Sequence, residues 1–145
     1  MNIYVCSVCN HLEFTAVEAS CPVCGAPKTA FKQNNNIFTE SEKNSPEASV
    51  KHIPSITIVK ECGLIKEDSC VDAHVRIGET LHPMEAKHYI HFIDCYVNDT
   101  FVGRTLLTPN GVNPATAFHL KATSGKVTIV ENCNVHGHWK KDTEI

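Results

Sequence analysis

No stretch of about 18 or more apolar residues occurs in the sequence, which excludes a membrane-spanning helix of the usual kind. An excess of basic residues is also missing. Thirteen Lys and Arg face 16 Asp and Glu, for a net charge of -3, so neither nucleic acid nor an anionic membrane is indicated as a partner. The opening MNIYVCSVCN lacks the basic start and apolar run of a secretory signal. A cytoplasmic location is therefore expected, where thiols stay reduced. There is no internal repeat and no periodic segment of helix length. What the 145 residues do have is eight cysteines and nine histidines, several of them at chelate spacing. In a reducing compartment that count speaks for metal ligation rather than disulfides.

Three regions follow from composition. Residues 1–31 hold Cys6-x2-Cys9, an eleven-residue gap and Cys21-x2-Cys24. A piece this short cannot bury enough apolar surface to fold unaided, so a bound metal has to stabilise it. Each Cys-x2-Cys pair aims two thiolates from one turn at a common ion, and Asn10 and Gly25 supply the residues tolerant of positive φ after each pair. Residues 32–49 have linker composition, with Ile37 and Phe38 available to pack on a neighbour. Residues 50–145 alternate short β-branched and aromatic stretches, such as SITIVKE, HYIHFIDCYVN and KVTIVEN, with turn-formers such as VND, TPNGVNP and SGK. That interval predicts a mainly β chain ending in an antiparallel β-sandwich.

Tyr4, CSVC and CPVCGAP resemble the rubredoxin-like domains, in which four thiolates hold one redox-active iron. Tetrahedral sulfur sites take zinc as well, so the spacing alone leaves a structural zinc ribbon open. In the C-terminal region, Cys133 and His136 have the spacing of a chelate. With His52, His82 and His88 they suggest one mononuclear site of four imidazoles and a thiolate. No methionine follows residue 84, which disfavours a blue-copper centre there.

The stretches KHIP, HPMEAKHYIHFI and CNVHGHW together resemble the superoxide reductases of the desulfoferrodoxin and neelaredoxin group over residues 50–139. The resemblance implies an immunoglobulin-like sandwich with a surface ferrous centre. His52, His82, His88 and His136 would be equatorial ligands, Cys133 the axial ligand, and the position opposite sulfur would be open to superoxide. It further implies a catalytic Lys51 beside the open position, an electron donor such as rubredoxin or a reductase, and a homodimer. The family usually reads Glu-Lys-His where this chain has Val50-Lys51-His52, so a carboxylate cap on the open position is not expected. Two other classes compete: an electron carrier closed to substrate, and a structural protein holding zinc.

The remaining side chains are expected outside the chemistry. His11 is expected to be exposed, and His74 and His119 are strand imidazoles. His91 points away from the site, and His138 lies near the ligands or at the surface. Cys62, Cys70 and Cys95 are core residues. Trp139 either shields the metal or fills the core.

Overall fold

The computed structural model describes residues 1–45 and 49–145. Three short strands, β1 (Tyr4–Cys6), β2 (Leu12–Glu13) and β3 (Phe31–Gln33), form an antiparallel sheet in the order β2-β1-β3. Two helices follow, α1 (Ile37–Asn44) and α2 (Ser49–His52). The rest is a sandwich of two antiparallel sheets. The smaller sheet has the order β4-β5-β8, from β4 (Pro54–Val59), β5 (Val71–Ile77) and β8 (Ala115–Leu120). The larger runs β10-β9-β6-β7, from β6 (Ile90–Val97), β7 (Thr100–Leu106), β9 (Lys126–Cys133) and β10 (Gly137–Glu144). The VND turn closes the β6–β7 hairpin with Asn98 and Asp99 both at positive φ, the geometry that matches strand twist. Among the described residues, no helix is long and apolar enough to cross a membrane.

Side-chain alternation explains how the layers stack. Ala73, Val75 and Ile77 of β5 face Ile93 and Cys95 of β6 and Val127, Ile129 and Cys133 of β9, forming the core between the sheets. The other face of β6 and β9 is covered too. Tyr96 and Val130 pack against Ile3, Leu12 and Phe14 of the N-terminal unit and against Ile37, Phe38 and Phe101. Burial on both faces is why β6 reads IHFIDCYV, with no alternation between polar and apolar residues.

The stretch with linker composition carries helix α1. Its own sequence is polar, but burying Ile37 and Phe38 on the outer face of the large sheet stabilises it. Asn34 Oδ1 accepts the backbone N–H of Asn36 at its start, while Glu40 in the first turn and Lys43 in the last match the helix dipole.

Two further expectations are corrected. His11 is fully buried: docking of the N-terminal unit encloses it between Glu13 and Asp94, at 2.9 and 3.3 Å. Of the three cysteines assigned to the core, only Cys95 is there. Cys62 and Cys70 are partly exposed at the edge of the small sheet, where the loop before β5 folds onto its outer face.

Candidate metal centres

The four N-terminal cysteines converge. Their sulfurs all lie within 4.8 Å of one another, with Cys6 to Cys24 at 3.7 Å and Cys9 to Cys21 at 3.6 Å. A tetrahedral ion with metal–sulfur bonds of about 2.3 Å requires sulfur–sulfur edges of about 3.8 Å, so the cage fits one such ion. The two halves repeat each other. In each, the first cysteine's carbonyl accepts the N–H four residues on, from Asn10 or Gly25, at 2.9 Å. Its own N–H donates to the carbonyl five residues on, at His11 or Ala26, at 2.8 Å. Asn10 (φ 64°) and Gly25 (φ 76°) adopt the positive φ these turns require. Burial raises the Cys9 and Cys21 thiols, so holding all four as thiolates calls for a cation.

The second centre draws its donors from four places. His52 ends α2, His82 and His88 lie in the β5–β6 connection, Cys133 ends β9, and His136 lies in the β9–β10 turn. The five donor atoms again fall within 4.8 Å of one another. The imidazoles form a near-square. Successive ring centroids around His52, His82, His88 and His136 are 4.5, 4.6, 4.9 and 5.0 Å apart, and the His52–His88 diagonal is 6.3 Å. A tetrahedral set would have no such long diagonal; four rings around one equatorial plane would. Nε2 of His52 and of His88 lie 3.1 and 3.2 Å from Nδ1 of His136, close enough to share an ion.

In His52 and His82 the ring nitrogen that faces away is already occupied, which fixes the orientation of these two donors. His82 donates from Nδ1 to the Pro83 carbonyl at 2.7 Å. Its Nε2 is buried without a partner among the described residues, as expected of an atom reserved for a metal. His52 uses Nδ1 for Glu131 Oε1 at 2.9 Å. Burial and then repulsion from the other imidazoles lower His52 to about 3, and burial lowers His82 to about 4, so both rings are neutral and ready to ligate. The contact with Glu131 is therefore a hydrogen bond from a neutral ring rather than a salt bridge. Burial pushes the Glu131 carboxyl well above its usual range and the Cys133 thiol up to about 11. A thiolate buried at Cys133 is stabilised by a cation placed beside it.

Glu131 was legible in principle. It is the lone carboxylate in a β-branched strand, in phase with Ile129 and Cys133 and therefore core-facing. Trp139 pairs across the sheet with Glu131, and its ring stacks on His52 at 4.8 Å and 10°. It also donates to the His136 carbonyl at 3.1 Å, so it shields the centre rather than merely filling the core. His52, His82 and Cys133 are buried while His88 and His136 are only half-buried, so the centre faces solvent on one side. Lys51 is exposed next to it.

The remaining histidines stay out of the cluster. His91 occupies a bulge where β6 loses register with β9, and His138 turns to the outer face, donating from Nε2 to the Asn10 carbonyl at 2.8 Å.

Backbone contacts hold α2 in place. Val50 O accepts from the N–H groups of Glu79 and Thr80 at 2.9 and 3.3 Å. Gly78, at φ 88°, lies so close that an added Cβ would come 2.5 Å from Lys51 O. Gly78→Ala is therefore expected to displace Lys51 and His52. It should lower bound metal and cost more than about 1 kcal/mol of stability, as read from metal content and thermal unfolding.

The family model described as Desulfoferrodoxin matches residues 43–142, and that of the rubredoxin-like domain of rubrerythrin matches residues 4–32. The chain belongs to the desulfoferrodoxin family. The desulfoferrodoxin of Desulfarculus baarsii is 32% identical over 142 residues, covering 98% of this chain and 96% of the relative. That of Nitratidesulfovibrio vulgaris is 34% identical over 119 residues, covering 82% and 76%. Among solved structures, a variant of the superoxide reductase (neelaredoxin) from Ignicoccus hospitalis matches this family member with a TM-score of 0.60 at 29% identity. That match covers 74% of this chain and 89% of the other. The superoxide reductase from Treponema pallidum matches with a TM-score of 0.52 at 26% identity, over 65% and 66%.

Proposed function

We propose that this desulfoferrodoxin is a superoxide reductase, converting superoxide to hydrogen peroxide at iron held by His52, His82, His88, His136 and Cys133. The observation that carries this is the near-square of four imidazoles with a buried cysteine among the donors and one side open to solvent. Iron held there would supply one electron, with which superoxide and two protons would give hydrogen peroxide.

The chain's own residues position and tune. Glu131 and the Pro83 carbonyl fix two imidazoles in the tautomers that ligate through Nε2. Cys133 as thiolate would place negative charge on a bound iron and favour its oxidised state. The half-exposed side formed by His88 and His136 gives water access for proton delivery. With Val50 in place of a glutamate, this segment offers no carboxylate to cap a bound metal.

Lys51 supplies a positive charge where an anion arrives. Lys51→Ala is expected to slow superoxide-dependent oxidation of the reduced centre about 10-fold and to flatten its dependence on ionic strength. Stopped-flow mixing of the reduced protein with superoxide tests both. A wild-type centre that superoxide leaves reduced would overturn the proposal.

Cys6, Cys9, Cys21 and Cys24 are proposed to hold a second iron that relays electrons. A direct link supports this: Asn10, next to Cys9, accepts the hydrogen bond from His138, two residues after His136. A soluble donor such as rubredoxin or a reductase, assembly as a homodimer and residence in the cytoplasm belong to the same proposal. The donor and the homodimer rest on the family resemblance.

A further inference from the structure

A third set of metal-binding side chains lies on the outer face of the small sheet, sharing no residue with the two centres above. Asp72 of β5 and His119 of β8 are paired directly across the strands. Cys70 precedes Asp72 by two residues and so projects to the same face. Cys62 arrives from the loop between β4 and β5. Its N–H donates to the Cys70 carbonyl at 3.2 Å, which closes the loop back on itself. Two thiols, one imidazole and one carboxylate oxygen thus lie within 4.8 Å of one another.

We infer that Cys62, Cys70, Asp72 and His119 form a zinc site that clips the loop of residues 60–70 onto the sheet. The donor set suits a borderline-soft divalent ion that accepts sulfur, nitrogen and oxygen together in a tetrahedron. Bonds of about 2.3 Å to sulfur and about 2.1 Å to nitrogen or oxygen give mixed edges of about 3.6 Å. Cys62 Sγ is 3.5 Å from His119 Nδ1, and Cys70 Sγ is 3.7 Å from Asp72 Oδ1. His119 Nδ1 and Asp72 Oδ1 are 2.7 Å apart in a hydrogen bond, which the entering ion would replace.

The loop also needs such a clip. Its apolar residues Leu64 and Ile65 are exposed, at 67% and 40%, so burial of these side chains does not hold it down. Side-chain support comes from Ser69 Oγ, which donates to the Lys121 carbonyl at 2.9 Å.

The test uses the full chain with iron in both other centres. Zn2+ is titrated in competition with a chromophoric chelator while the iron absorption bands are monitored. One further equivalent of zinc should bind with the iron bands unchanged. Cys62→Ser/Cys70→Ser together should abolish that uptake, and His119→Ala should weaken it at least about 10-fold. Hydrogen exchange in residues 60–70 should slow on zinc addition in the wild type and not in the double variant, whose iron bands report that it has folded. The inference is overturned if no zinc binds, if zinc enters only as iron is lost, or if the double variant binds as well as wild type. A Cys62–Cys70 disulfide in protein kept under reducing conditions would overturn it equally.

Discussion

Replacing Asp94 by alanine is expected to destabilise the protein by about 3–5 kcal/mol, the cost of leaving a buried charge without its partner. Asp94 is fully buried on β6 and receives both arms of Arg104 from the neighbouring strand, Nε at 2.6 Å and Nη2 at 2.9 Å. The same guanidinium lies 3.4 Å above the centre of the Phe92 ring and donates from Nη1 to the Cys9 carbonyl at 3.1 Å. His11 contacts the carboxylate from the other side. Asp94 is therefore the shared anchor of the N-terminal unit and the large sheet. Its loss leaves Arg104 and His11 enclosed with nothing of opposite charge between them except Glu13. Urea unfolding of the iron-loaded protein would measure the loss. The double change Asp94→Leu/Arg104→Leu should cost much less, because it removes both charges and keeps apolar volume. An Asp94→Ala protein as stable as wild type would show that the pair contributes nothing to docking.

The second large effect concerns Glu131. Glu131→Ala is expected to lower iron affinity at the five-donor centre about 10–100-fold, the usual result of removing the group that orients a ligating imidazole. The variant leaves His52 Nδ1 unpartnered in the core and frees the ring to rotate away from the near-square arrangement. Glu131→Gln should lose less, since its amide oxygen can accept the same hydrogen without supplying negative charge. Competition with an iron chelator gives the affinities. The thiolate-to-iron absorption of Cys133 reports whether the remaining ligands hold their places. An Ala variant with wild-type affinity would mean that stacking by Trp139 alone orients His52.

The partners of these two residues are set by tertiary structure, although the inward phase of Glu131 on its strand is visible in the sequence. The four N-terminal cysteines are visible from their paired spacing, and the five donors of the second centre from their residue types together with the family resemblance. The sandwich was visible because β-branched runs between turn-formers repeat along the chain. Asp94, Arg104, His11, Glu131 and Trp139 have no such spacing. They meet only through strand register and through the docking of the N-terminal unit. His11 illustrates the difference: beside a surface metal turn it looks exposed, and the large sheet buries it. Helix α1 is similar, since a polar stretch becomes helical once two of its side chains have an apolar surface to cover.

Local chemistry is enough to specify the donor atoms, the positive-φ residues of the cysteine turns and the alternation that sets which side of each strand faces inward. Those properties depend on a residue's own side chain and its near neighbours. Long-range packing alone sets the four imidazoles in a near-square, lays the N-terminal unit on the second face of the large sheet, and brings Cys62 to Cys70, Asp72 and His119. Each of these depends on pairing across strands far apart in the chain, where register and burial decide which side chains meet.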